Sequence, residues 1–442
     1  LTSAPEPQAR GGNERYIETV VRVRSDEVAR LLLAFAMFFS VLCGYYILRP
    51  VRDEMGVVIG SAGLTQLFLY VFLVMCAAVP VFGFVVARTP RRWVVPLLYG
   101  FFIANLIGFW ILLQPDDGAT HAPSIARTFF VWTSVFNLFV VSLFWILMSD
   151  IWQPDQAKRL YGFIAAGGTA GAVVGPFMAG YLTGLMAPHD LLLLTAGFFG
   201  LALGCAVLLR HFTNAGGIGD GDRPAGVRDI LSGAERVWQS PYLFRIAMFI
   251  LLANLIGTFF YLEQSRIVGL EITDRADRVR FFAFRDLVMN VITIAVQVFV
   301  TGRIMSRFGL GVPLASLPVC AIAGLAALAV SPSLEVIAAV MVAERAIGFA
   351  LANPAIKVLY TVVEPDEKYK AQNFIDTVVF RGGDAASGWL FNTVAKAAGA
   401  SSTVLAIVSL PLALVWLATA RDLARRQGAA VARDGETRSA ET

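Results

Sequence analysis

The chain has 442 residues, 57% of them hydrophobic and 15% charged, with a net charge of +4. An average soluble domain carries about 25% charged residues, so a soluble protein of this size cannot hide so much apolar surface, and lipid is the solvent for much of it. The basic residues lie in short segments between apolar runs rather than in one patch, which argues against a nucleic-acid-binding face and reads as a membrane orientation signal.

The first stretch, Leu1 to Arg24, is polar and shows no cleavable signal pattern; the apolar run after it is long enough to span and stay. A spanning helix needs about 20 apolar residues. Twelve stretches qualify: 30–49, 64–87, 93–113, 125–149, 160–185, 190–209, 243–262, 281–301, 312–330, 334–360, 373–395 and 402–420. The expected organisation is a cytoplasmic segment 1–29, a six-helix half 30–209, a cytoplasmic linker 210–242, a second six-helix half 243–420 and a cytoplasmic tail 421–442. The linker holds Asn-Ala-Gly-Gly and Gly-Asp-Gly-Asp and no apolar core, as a linker should.

Basic residues follow helices 2, 4, 6, 8, 10 and 12 (Arg88, Lys158, Arg210, Arg303, Lys368 and Arg421 among them), all on one side of a twelve-helix weave. The positive-inside rule puts that side, and both termini, in the cytoplasm. The expected outer loop 263–280 breaks the pattern with Arg275, Arg278 and Arg280.

The halves resemble each other. Gly83 to Arg88 matches Gly302 to Arg307, YYILRPVR (45–52) matches FFYLEQSR (259–266), and Asp155, Arg159, Phe163 and Gly171 match Asp366, Lys370, Phe374 and Gly382, at offsets between 211 and 219. Three matches in order support a duplication. Both Gly-x-x-x-x-Arg loops resemble the signature of the major facilitator superfamily after its helices 2 and 8, with Ala87 and Ser306 where that signature has an acid. The expected fold class is therefore an all-α membrane protein of about twelve transmembrane helices, a major-facilitator-like 6+6 pseudo-symmetric bundle with helices 1, 4, 7 and 10 around a central cavity.

Ionisable residues inside spans cost about 2.5–3.5 kcal/mol each at a helix centre, so each needs a partner or a water-filled cavity. Tyr45, Arg49 and Arg52 share one face of helix 1, and two guanidiniums beside a tyrosine make an anion clamp. The competing reading pairs them with Asp53 and Glu54 at the membrane edge. Glu263 and Arg266 end helix 7, Arg285, Asp286 and Asn290 lie on helix 8, Glu344, Arg345 and Lys357 on helix 10, and Asp376, Arg381 and Asp384 on helix 11. Each is either an interhelical salt bridge or part of the cavity wall. Gly167, Gly171, Gly175, Gly180 and Gly184 on helix 5 are spaced for close helix approach. Cys43, Cys76, Cys205 and Cys320 lie in apolar runs and read as small buried residues. His121, His189 and His211 lack ligand spacing, and no Gly-Lys-Ser/Thr follows the glycines. No metal, cofactor, ATP-driven pump or enzymatic activity is expected.

Two segments resemble the ATP/ADP translocase family of plastids and obligate intracellular bacteria, with its relatives in free-living bacteria. They are YYILRPVRDEMG (45–56) and DEKYKAQNFIDTVVFRGGD (366–384); QAKRLYGFIAAGG (156–168) and Tyr261 to Arg266 are weaker matches. The resemblance implies a bacterial inner-membrane antiporter exchanging nucleotides, ATP for ADP, with Arg52, Glu263, Lys370 and Asp376 at the family's motif positions. Gln156 stands where the family often has an acid. The expected partners are the bilayer and a small anionic solute of nucleotide type. The expected site has Arg52 and Arg266, at matching depth in the two halves, facing each other across the cavity, with Arg49 and Arg285 as helpers. The alternative is a proton-coupled carrier of another organic solute, with Glu263, Glu344 or Asp376 carrying the proton.

Overall fold

The computed structural model describes residue 24 and residues 27–114, 123–212, 234–397, 399 and 401–441. The segment 1–23 and most of the expected loop 114–124 and linker 210–242 lie outside them. The described residues form helices and turns, with no strand among them.

Nine of the described helices are long and apolar enough to cross a membrane. The first, Val28–Arg88, is two helices divided at Gly60, whose φ of 77° and ψ of 162° fall where essentially only glycine is comfortable. Two further spans are interrupted by π-helical turns, which gives twelve. They are α1 (28–59), α2 (61–88), α3 (Arg91–Leu112), α4 (Pro123–Ile151), α5 (Pro154–Leu182), α6 (Leu191–Phe212), α7 (Pro241–Glu271), α8 (Arg275–Phe308), α9 (Gly311–Val330), α10 (334–359), α11 (365–397) and α12 (Ser402–Glu441). The π turns are Gln297–Thr301 in α8, Gly348–Ala352 in α10 and Ile375–Val379 in α11.

The boundaries correct the sequence reading in one systematic way. Helix 1 does not stop at 49 but continues through Pro50 to 59, and helix 7 continues past 262 to Glu271. Arg52, Asp53, Glu54, Glu263 and Arg266 therefore lie within helices, not at their ends. A count of apolar residues ends at the first charge, but a charge paired inside the protein need not end a span. The loop expected at 263–280 shrinks to residues 272–274. Its basic residues are engaged: Arg275 pairs with Glu54, Arg280 with Asp277, and Arg278 donates to the Ile272 carbonyl. The helix expected to end at 420 runs on to Glu441. Cys43 and Cys205 are buried, but Cys76 is exposed.

Each half has its own core, one built around Phe129, Phe136, Phe144 and Phe199 and the other around Phe249, Phe260, Tyr360 and Trp416. In the first half the glycines of α5 seat it against α1. A Cβ on Gly167 would lie 2.5 Å from the Phe35 carbonyl oxygen, and one on Gly175 would lie 2.6 Å from that of Cys43. Gly180 instead abuts Ala283 of α8 in the other half. The halves meet chiefly where α5 packs on α8, α11 on α2, and α1 on α7 and α8.

Candidate functional site

The bonds that join the halves gather toward the end of the molecule that holds Gly60. Thr65 of α2 donates to the Gly388 carbonyl of α11, and Asn290 of α8 to the Ala172 carbonyl of α5. Between them lies a buried ionic cluster. Arg285 of α8 is at its centre. Its Nη2 is 2.7 Å from Asp53 Oδ2 on α1 and 2.7 Å from Asp286 Oδ1, and its Nη1 donates to Gln264 Oε1 on α7 at 2.6 Å. The guanidinium also lies 5.0 Å from the Phe282 ring.

Asp53 is shared. Its Oδ1 accepts from Arg52 Nε at 3.1 Å and Nη2 at 2.6 Å, and from the Tyr261 hydroxyl at 3.3 Å. Arg52 lies over the Phe130 ring of α4. Arg49 reaches Asp286 Oδ2 at 3.3 Å, an ion contact without hydrogen-bond geometry. Next to this group, Glu54 takes both arms of Arg275, at 2.8 and 3.0 Å.

Arg49, Arg52 and Arg285 face only Asp53 and Asp286, so this five-residue group carries one surplus positive charge. Asp53, Arg285 and Asp286 are buried, whereas the side chains of Arg49 and Arg52 keep 14% and 15% of their surface, so these two are the arginines a solute can touch. Gln264 Nε2 and Asp286 Oδ2 are buried there without a hydrogen-bond partner among the described residues. Buried polar atoms are nearly always paired, so donors and acceptors are still on offer in this cluster.

The other expected residues fall elsewhere. Arg266 is held by Glu263, at 3.1 and 2.7 Å, and by the Ser402 hydroxyl of α12. No contact links it to Arg52 among the described residues. Glu344 is buried on α10 with only the side-on guanidinium of Arg345, 3.4 Å away. Arg381 meets Asp384 at 3.8 Å, and Asp376, in the α11 π turn, meets Lys357 at 3.7 Å. Lys370 sits in the opening segment of α11. The Lys357 and Asp376 side chains are 63% and 59% exposed. Asp376, Phe380 and Arg381 face Phe72, Met75, Cys76 and Val79 of α2 and Leu138 of α4 across a cavity of about 290 Å³ between the halves. The structure thus brings Arg49, Arg52 and Arg285 together and leaves Arg266 apart. Tyr261 and Gln264 were missed as members because their partners are on other helices, where spacing in the sequence carries no signal.

Two six-helix halves, latched at one end by buried ion pairs and separated by a cavity lined from both, have the architecture of a solute-carrying membrane protein. The sequence matches the Major Facilitator Superfamily over residues 31–388, and the chain belongs to that family of membrane transporters. It is embedded in the bilayer and moves a small solute. Solved structures share the fold. A POT family transporter in complex with 5-aminolevulinic acid is 13% identical, with 89% of this chain and 96% of that one covered and a TM-score of 0.63. The nucleoside transporter NupG is 14% identical, covering 92% and 99%, with a TM-score of 0.56. A bacterial homologue of the human lysosomal transporter Spinster, inward-facing and unoccupied, is 12% identical, covering 92% and 94%, with a TM-score of 0.55. No curated protein matches the sequence.

Proposed function

We propose that this protein exchanges an organic anion across a bacterial inner membrane by alternating access, with a nucleotide as the solute. The observation that carries the reading is the surplus positive charge of the Arg49–Arg52–Arg285 cluster, buried between the halves with two carboxylates that a solute anion can replace. The segments 45–56 and 366–384 favour a nucleotide as that anion. The basic loops put both termini on the cytoplasmic side, so the latched Gly60 end faces outward.

An anion arriving from the open end meets Arg49 and Arg52 first. Its phosphate oxygens replace Asp53 on Arg52 and Asp286 on Arg49, because planar guanidiniums accept bidentate oxyanions. Release of Asp286 from Arg49 loosens a tie between α1 and α8, whereas Asp53, freed from Arg52 on its own helix, stays on Arg285. The bound phosphate offsets the surplus charge of the cluster, so the arginines are less costly to desolvate when loaded than when empty, which favours exchange over leak. Labelled ATP should enter proteoliposomes only when ADP is inside, and Arg52→Ala should stop it.

A second reading, proton-coupled uptake of another solute, is favoured by Glu344, a buried carboxylate that has only its sequence neighbour as a counter-ion. Under that reading uptake follows a pH gradient, is indifferent to internal ADP, and is lost in Glu344→Gln.

A further inference from the structure

A second, larger cavity, about 1220 Å³, does not lie between the halves. It is enclosed by α2, α3 and α4 of the first half alone. Its floor is made of buried side chains, Leu67, Phe102, Phe136 and Phe139, and its rim of exposed ones, Tyr70, Val81, Leu97 and Phe101. A trough with an exposed apolar rim on a membrane-spanning helix face opens sideways, toward hydrocarbon, and plays no part in the ionic site described above.

Its chemistry changes at one end. There the wall is Ser124, Arg127 and Thr128, in the first turns of α4. The Thr128 hydroxyl is turned to the Ser124 carbonyl at 2.8 Å. Arg127 is exposed, and no hydrogen bond or ion pair engages it among the described residues. Every arginine of the ionic cluster has a carboxylate; this one has none among the described residues. From Arg127 to Phe139 the trough follows α4 for twelve residues, about 18 Å at a rise of 1.5 Å per residue. One leaflet supplies about 15 Å of a hydrocarbon core about 30 Å thick. An unpaired cation at one end of an apolar trough about one leaflet long matches a molecule with an anionic head and a hydrocarbon tail of that length.

We propose that the trough between α2, α3 and α4 is a binding site for an anionic phospholipid, with its phosphate on Arg127 and an acyl chain over Phe102, Phe136 and Phe139. The phosphate meets a guanidinium at the edge of the bilayer, where pairing with an anionic headgroup is favourable, and the chain fills the concave wall. The consequence reaches the carrier cycle. Helix α2 follows the Gly60 break and touches the other half through Thr65 and Phe68 against Gly388. A lipid seated behind α2 braces the helix on which the halves slide.

The test is native mass spectrometry of the purified chain after exchange into phosphatidylglycerol, phosphatidylcholine or glycerol 3-phosphate. Two variants attack the two ends of the site. Arg127→Ala removes the cation. Gly100→Leu fills the trough, since Gly100 lines it and a Cβ there meets nothing within 4 Å. The expected result is a retained phosphatidylglycerol that both variants lose and Arg127→Lys keeps, with weaker retention of phosphatidylcholine. Equal retention by the parent and either loss variant overturns the site. Binding of glycerol 3-phosphate as tight as that of the lipid overturns the role of the chain, and a parent that retains a second copy of itself instead of lipid overturns the occupant.

Discussion

Arg285 and Asp53, 232 positions apart in sequence, meet at 2.7 Å in the seam between the two halves. The contact ties α8 to α1, and through Asp53 it holds Arg52 and Tyr261 as well. It must open for the carrier to face the other way. Under the proposed alternating access it is a latch whose strength should set both stability and turnover.

Removing one member of a buried pair strands the other and costs about 3–5 kcal/mol. Arg285→Met should lower stability in detergent by that order, since Asp286 and Gln264 lose their donor and Asp53 keeps only Arg52 and Tyr261. Adding Asp53→Leu should deepen the loss, because it strands Arg52, whose carboxylate is Asp53. Denaturant titration of the parent, the single and the double variant checks this; a single variant as stable as the parent contradicts the latch.

The other end of the first half is tied by Glu27, one residue ahead of α1 and outside the spanning segments. It accepts from Gln156 at 2.8 Å, from Arg159 at 3.1 Å and from the Arg24 N–H at 3.1 Å. Burial pushes its carboxyl up, but the Arg24, Gln156 and Arg159 donors outweigh that and hold it below the usual carboxylate range. A carboxylate depressed on folding contributes stability that is present above its unfolded value and lost as pH falls through the folded one. The parent should therefore lose melting temperature on acidification more steeply than Glu27→Gln, and the two curves should converge at low pH. Parallel curves would show that Glu27 has no such part.

How much of this was legible in the sequence follows from what each feature depends on. The twelve spans were legible because lipid demands apolar length, and every span found has a counterpart in the structure. Where α1 and α7 end was not, because Arg52, Asp53, Glu54 and Glu263 read as ends when they are paired inside. The duplication placed Arg52 and Arg266 at matching positions, but a repeat fixes position and not partner: Ser402 of α12 takes Arg266, and α1 is met by Arg285 and Asp286 of α8. Arg49, Arg52 and Arg285 were all visible as intramembrane charges; that they form one group was not.

The glycines of α5 provide a test of packing alone. A Cβ on Gly171 would fall against the Phe39 carbonyl oxygen and 2.8 Å from the Cys43 nitrogen, both backbone atoms of α1 that cannot swing aside. Gly171→Ala should therefore force α5 away from α1 and cost about 1–3 kcal/mol or more. Gly204→Ala is the control: it lies on α6, meets nothing within 4 Å, and should be neutral or stabilising by up to about 1 kcal/mol through helix propensity. Thermal melting separates the two. Equal melting temperatures for both variants would mean that the α1–α5 contact is looser than its geometry requires.

The surplus charge makes the sharpest demand on Arg49 and Arg52. If they hold the anionic group of the solute, each supplies charge and a flat pair of donors, and lysine keeps only the first. Arg49→Ala and Arg52→Ala should abolish exchange in proteoliposomes while leaving the protein folded, since the arginines are the partly exposed members and the remaining cations still balance Asp53 and Asp286. The lysine variants should retain exchange at raised half-saturating concentration. Arg266→Ala, whose partners are Glu263 and Ser402, should disturb stability more than affinity. Neutralising Asp53 alone should have the opposite sign. Asp53→Asn adds a second unbalanced charge to the cluster, so the solute should bind more tightly and leave more slowly, with turnover falling at saturating solute. Tighter binding in Asp53→Asn together with lost binding in Arg52→Ala identifies the pair as competitors for one guanidinium. Unchanged affinity in both variants would move the anion site to the α10 and α11 cations Arg345, Lys370 and Arg381.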